Sequence, residues 1–128
     1  MSQVTTLILL PQTSYKDPGG GQFYTVTGNA QPAAAFYLGT KDLQTVNTKL
    51  TDVTGTIVLE ATLAADPQDT DWFEVNEFTA NFRAPAGSPE KENSNASLFT
   101  NVEGNFVFMR ARVDYFNHGT IDFIKMSY

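Results

Sequence analysis

None of the 128 residues is cysteine, which excludes a disulfide framework and any Cys-ligated metal site. Histidine is almost missing as well. His118 stands alone, and one imidazole without a thiol partner cannot build a His-based metal centre. Basic charge is scarce: eight Lys and Arg, scattered along the chain, face fourteen acids for a formal net charge of −6. Wrapping DNA or RNA takes clustered cations that displace counterions, so a nucleic-acid partner is not expected. Nor is a membrane: the apolar stretch in Met1–Pro11 is far too short to cross a bilayer. It lacks a basic n-region and a small-residue cleavage site, and reads as a first strand stopped by Pro11. No cofactor is implied by any motif.

What the chain does have is β-forming material. Hydrophobic residues make up 41%, enough for one domain with a real core, while charged residues make up only 17%. Polarity comes from Thr, Asn, Gln and Ser, which suit strand surfaces, turns and neutral contact surfaces. Short runs bounded by Gly, Pro, Asn or Asp predict strands over Val4–Leu10, Gln22–Thr27, Ala34–Leu38, Leu43–Leu50 and Gly55–Leu63. Further strands are predicted over Asp71–Val75, Phe78–Phe82 and Ser97–Asn101. In Gly55–Leu63 one face, Ile57, Leu59, Ala61 and Leu63, is wholly apolar at period two. Pro11–Gly21 reads as a loop, and Ala84–Asn95, without a hydrophobic anchor, as a mobile excursion. No window carries helical periodicity with caps. The expectation is an all-β single domain over residues 1–128, a two-sheet β-sandwich of jelly-roll type.

The last third is the richest part. Gly104–Phe116 and Gly119–Tyr128 are two β-rich runs, with Asn117-His118-Gly119 supplying turn chemistry between them. Period two assigns Val107, Met109, Ala111, Val113 and Tyr115 to the core. The opposite face then carries Phe106, Phe108, Arg110, Arg112, Asp114 and Phe116. Aromatics interleaved with arginines are enriched at protein–protein interfaces, so Phe106, Phe108, Arg110, Arg112 and Phe116 are interface candidates. An alternative fits the same residues: the arginines pair with nearby acids while their stems cover apolar surface.

Catalytic signals are poor. No Gly-x-Ser-x-Gly elbow accompanies the Ser, His and Asp residues, so no hydrolase site is expected. His118 reads as an exposed turn residue. Asp66, Asp69 and Asp71 put three carboxylates within six residues and form the best Ca²⁺ candidate. They lack the central Gly and distal Glu of an EF-hand, and a plain turn explains them better. Glu60 and Glu74 could face a groove as a glycosidase pair, as in any acidic β-protein. Asp17-Pro18-Gly19-Gly20-Gly21 lacks the Lys and helix of a phosphate-binding loop. Asn95-Ala96-Ser97 fits a glycosylation tripeptide, irrelevant without secretion. Trp72 and the tyrosines could stack on a sugar, although a lone Trp in a small sandwich is more often packing.

Gly55–Leu63, Asp71–Val75 and Phe99–Ala111, in that order, resemble small virion structural proteins of tailed bacteriophages, particularly T4-like phages of marine cyanobacteria. Leu7–Thr13, Phe36-Tyr37-Leu38-Gly39 and the closing Gly119-Thr120-Ile121-Asp122 fit the same type. The resemblance spans most of the chain and rests on strand-and-turn patterns. It implies a non-enzymatic β-sandwich component of the virion: a capsid decoration, neck or tail-fibre-associated protein, assembled in the host cytoplasm. Its partners would be copies of itself, with a trimer favoured, and other virion proteins. The order of strand, Trp-containing strand and Phe-x-Phe-Met-Arg strand is also similar to galactose-binding-like (discoidin) sandwiches. That similarity implies glycan-binding loops at one end, where no aromatic cluster is evident.

Overall fold

The longest alternating runs of the sequence become its two longest strands. The computed structural model describes residues 5–37 and 42–128. In chain order the elements are β1 (Thr6–Leu10), β2 (Thr13–Ser14), β3 (Tyr24–Thr27), β4 (Gln31–Pro32), α1 (Ala34–Tyr37) and β5 (Leu43–Thr62). They continue with β6 (Phe73–Ala80), α2 (Pro89–Asn93), β7 (Ser97–Glu103) and β8 (Phe108–Ser127), and a single 3-10 turn spans Asp69–Asp71. The chain is all-β, a curled antiparallel sheet with little helix.

β5 and β8 pair with each other along almost their whole lengths. On the far side of β8 lie β1, β2, β3 and β4 in succession; on the far side of β5 lie β7 and then β6. The sheet therefore has two wings that share the same two central strands. One wing holds β1, β2 and β7 with the first half of β5; the other holds β3, β4 and β6 with its second half. All eight strands belong to one hydrogen-bonded sheet that continues from wing to wing, so the two sheets expected from the sequence are not separate ladders.

A straight strand of this length would span about 66 Å. A domain of this size has a radius of gyration of only about 14 Å, so both strands have to bend. They bend together. The register of β5 on β8 breaks between Lys49 and Leu50, between Thr51 and Thr54, and between Thr54 and Thr56. Asp52 and Tyr115 adopt left-handed backbone (φ 53° and 54°), as does Gly119 (φ 87°). Each extra residue reverses the inward alternation. In β5 the buried set passes from Val46, Thr48 and Leu50 to Val53, Ile57, Leu59 and Ala61. In β8 it passes from Met109, Ala111 and Val113 to Phe116, Ile121, Ile124 and Met126. The hydrophobic residues among these, with Leu9 and Leu10, form one cluster across both wings. Leu9 and Leu10 are both buried because Leu9 is a bulged residue, Ile8 pairing with Lys125 and Leu10 with Ile124.

Several expectations are corrected by this geometry. Asn117-His118-Gly119 is no hairpin turn but lies inside β8, at its bend. Leu43–Leu50 and Gly55–Leu63 are likewise one strand, joined through Asp52, and Leu63 falls beyond its end, 66% exposed. Tyr115, assigned to the core, is 62% exposed, and Phe116, an interface candidate, is fully buried, because the bulge at Tyr115 exchanges their faces. Ala34–Tyr37 is a short helix instead of a strand, its first N–H bonded to the buried Gln44 Oε1 (3.0 Å); Leu38 and Val4 lie outside the described residues. Ala84–Asn95 carries α2, capped by Ser88 with Pro89 at its first position. Its anchors are polar, which hid them from a hydrophobicity reading. Asn81 N–H donates to Glu90 O (2.9 Å), Asn93 Nδ2 to Thr79 O (3.1 Å), and Lys91 Nζ sits 4.2 Å from the Phe82 ring centroid.

The bend is tightly filled. A Cβ on Gly119 would stand 2.2 Å from Asp52 O; away from the bend, a Cβ on Gly28 would stand 1.8 Å from Leu9 O, beside the β1 bulge. Gly119→Ala, which adds a backbone clash to a left-handed φ, is expected to cost about 2–4 kcal/mol in urea unfolding. Asp52→Asn, a residue that tolerates left-handed backbone, should stay within about 0.5 kcal/mol of the parent.

Candidate interaction surface

On the wing that holds β6, alternation sends Glu60 of β5, Arg110 and Arg112 of β8, and Glu74 of β6 to the outer face. Glu60 pairs across the ladder with Arg110 on one side and Glu74 on the other. Its carboxylate takes Arg110 Nε on Oε1 (2.9 Å) and Arg112 Nη1 on Oε2 (2.8 Å). Arg112 also reaches Glu74 Oε1 with Nη2 (3.1 Å) and Asp114 Oδ1 with Nε (3.0 Å). Glu60 is almost entirely covered, its side chain 6% exposed, whereas Glu74 is 51% exposed. Burial works against the Arg112 charge, but the Asp114 hydrogen bonds and the Glu60 carboxylate outweigh it and hold the guanidinium above its ordinary value. The Arg110 guanidinium carbon lies over the Trp72 ring, 4.2 Å from its centroid.

The sequence candidates thus separate. Arg110 and Arg112 satisfy their charges within the chain, the alternative the composition left open. Trp72 and Glu74 share a face as period two requires, yet Trp72 precedes β6 and is engaged by Arg110. Phe108 is half-buried against Phe36 (centroids 5.2 Å apart), and Phe106 is half-buried against Phe73 (5.7 Å) and the core. Glu60 and Glu74 do meet, on one guanidinium rather than across a cleft. Asp66, Asp69 and Asp71 are all exposed, and Asp71 Oδ2 accepts the Gln68 N–H (2.7 Å). Among the described residues no three His, Asp or Glu side chains are grouped to hold a metal.

His118 is half-buried at the bend. Its ring stacks on Phe82 (4.7 Å, 5° between planes), and Nδ1 lies 2.6 Å from the Asp52 carbonyl. A carbonyl only accepts, so Nδ1 carries the hydrogen. The Asp17–Gly21 tip is ordered by its own acid: Gly19 and Gly21 N–H donate to Asp17 Oδ1 (2.8 and 2.9 Å) and hold that carboxyl below its ordinary value.

The most exposed aromatic side chains sit on edge strand β7, just before β3 and at the β8 bulge. Phe99 of β7 is 73% exposed, and Phe23 and Tyr115, each 62% exposed, stack edge to face with centroids 5.3 Å apart. Phe99 was a sequence signal in plain view, at an alternating position in a short strand, but nothing in the sequence shows that β7 is an edge. No protein-family model and no curated protein matches the chain.

Two tests follow from these contacts. Glu60→Gln should cost about 2 kcal/mol because two guanidinium groups lose a buried counter-charge, while Glu74→Gln should cost less than about 0.5 kcal/mol; urea titration distinguishes them. For Asp17, a depressed folded pKa means its contribution is complete above the unfolded value near ~3.9 and is lost as pH falls through the folded value. The Gly19 and Gly21 amide resonances should therefore move only below about pH 4.

Proposed function

We propose that the protein is a non-enzymatic structural component of a tailed-phage particle, a capsid decoration or a neck- or tail-associated protein. It acts through contacts with further copies of itself and with other virion proteins, and it resides in the virion after assembly in the host cytoplasm. The observation that carries this reading is a set of highly exposed rings, Phe99 on edge strand β7, Phe23 just before β3 and Tyr115 at the β8 bulge, which a neighbouring chain can cover. The strand-order resemblance to small phage virion proteins supports it independently. The charged groups of the outer face are paired with one another, which suits a surface that packs rather than one that turns over a substrate. The lone tryptophan, the sequence's leading candidate for stacking on a sugar, is instead engaged by Arg110.

Immunogold labelling of purified particles with antibody to the chain is expected to place gold on the head, neck or tail. Particles that stay unlabelled while the infected-cell lysate is rich in the protein would overturn the proposal.

A further inference from the structure

The outer side of β7 is the one long sheet edge that nothing among the described residues covers or blunts. The β6 edge is bulged at Val75, since Leu59 pairs with Asn76 and Glu60 with Glu74; it carries Glu74 and Glu77 and is tied to α2 through Asn93. The opposite edge is divided among β1, β2, β3 and β4, the last ending in Pro32. Short strands, acids, bulges and proline are the devices that stop edges from pairing. β7 has only one of them, a lone acid at its last position. Its seven residues pair with β5 from Leu43↔Glu103 to Lys49↔Ser97 without a register break, it contains no proline, and Glu103 is its single charge.

The backbone of β7 specifies what it can accept. Gly104 N–H donates to Asp42 O (2.7 Å) and Leu50 N–H to Ala96 O (2.9 Å), so even-numbered residues exchange hydrogen bonds with β5. The N–H and C=O groups of Ser97, Phe99, Asn101 and Glu103 therefore point away from the sheet. We propose that β7 pairs antiparallel with β7 of a second copy, about a two-fold axis passing through Thr100. This deepens the reading that the chain works by self-contact, and rests on it. In that register Ser97 faces the other copy's Glu103 and Phe99 faces its Asn101, all of them residues with outward hydrogen-bonding groups, and each pair exchanges two N–H···O bonds. The two Glu103 carboxylates stay apart, each opposite a serine. The two Phe99 rings become diagonal neighbours on the solvent face, within reach of each other. Thr100 meets its own copy as a non-hydrogen-bonded pair. A two-fold contact of this kind makes dimers, and the trimer suggested by resemblance would need a different surface.

Sedimentation of the full chain at micromolar concentration is expected to give a dimer. Phe99→Lys should weaken it by at least about tenfold in Kd, because the introduced cations become neighbours across the axis. Adding Asn101→Glu should restore it, since position 99 faces position 101 and the acid keeps an acceptor for Thr45 Oγ1. Thr100→Cys supplies a second readout in a chain that has no other thiol. A non-hydrogen-bonded pair brings Cα atoms to about 4.5 Å, inside disulfide range, so this variant should cross-link under mild oxidation and Ser97→Cys should not. A parent chain that is monomeric, a folded Phe99→Lys variant that remains dimeric, or equal cross-linking of both cysteine variants would each overturn the pairing. A monomer whose antibody still labels particles removes the dimer and leaves the virion role standing; a dimer missing from particles does the reverse.

Discussion

The fold depends on the place where two long strands change direction together. β5 and β8 are too long to lie flat over so small a core, and each inserts extra residues at the same height, Asp52 in one and the Tyr115–Gly119 stretch in the other. The two insertions are pressed against each other. A side chain at Gly119 would collide with the Asp52 carbonyl, and the His118 ring is fastened to that same oxygen. The Asp52 carboxylate in turn accepts a hydrogen bond from Asn95 Nδ2, which draws the segment after α2 onto the bend. Because a bulge shifts alternation by one residue, this local event decides which side chains are core in both wings. Phe116 is buried and Tyr115 exposed for that reason alone.

This explains what was legible in the sequence and what was not. Composition and short alternating runs gave the all-β class, and the first six residues of β8, Phe108 to Val113, read correctly. Alternation cannot see a bulge made by an ordinary residue. Tyr115 and Asp52 adopt left-handed backbone without being glycine, so the face assignment failed after Val113 and interface candidate Phe116 became core. Asn117-His118-Gly119 has hairpin chemistry, but the strand length and the paired bulge in β5 overrule it: long-range pairing beats a local turn preference. The helices were missed because both are shorter than a detectable period, α1 being held by Gln44 and α2 by Ser88, Asn81 and Asn93.

The outer-face network illustrates a related limit. Arg110 and Arg112 stand two apart, as surface residues of one strand should. Their partner Glu60 comes from a segment about fifty residues away, and in the sequence nothing distinguishes it from the other acids. Pairing makes it a covered ion whose two oxygens are each committed, while Glu74 and Asp114 complete the Arg112 guanidinium from the more open side. The cluster gives the outer face a fixed shape rather than a reactive group.

β8 has one further consequence, for the order of events when the chain folds. Five other strands take their hydrogen bonds from it, and β1 does so across more than a hundred residues of intervening chain. Until residues 108–127 are in place, β1 to β4 have no ladder to join, so little of the sheet can mature early. Closing such distant segments carries an entropic cost before any contact repays it, which places the protein among slow, topology-limited folders. Meanwhile the apolar stretch Leu7–Leu10 stays exposed, and a cell making this chain quickly would depend on keeping those unfinished strands apart.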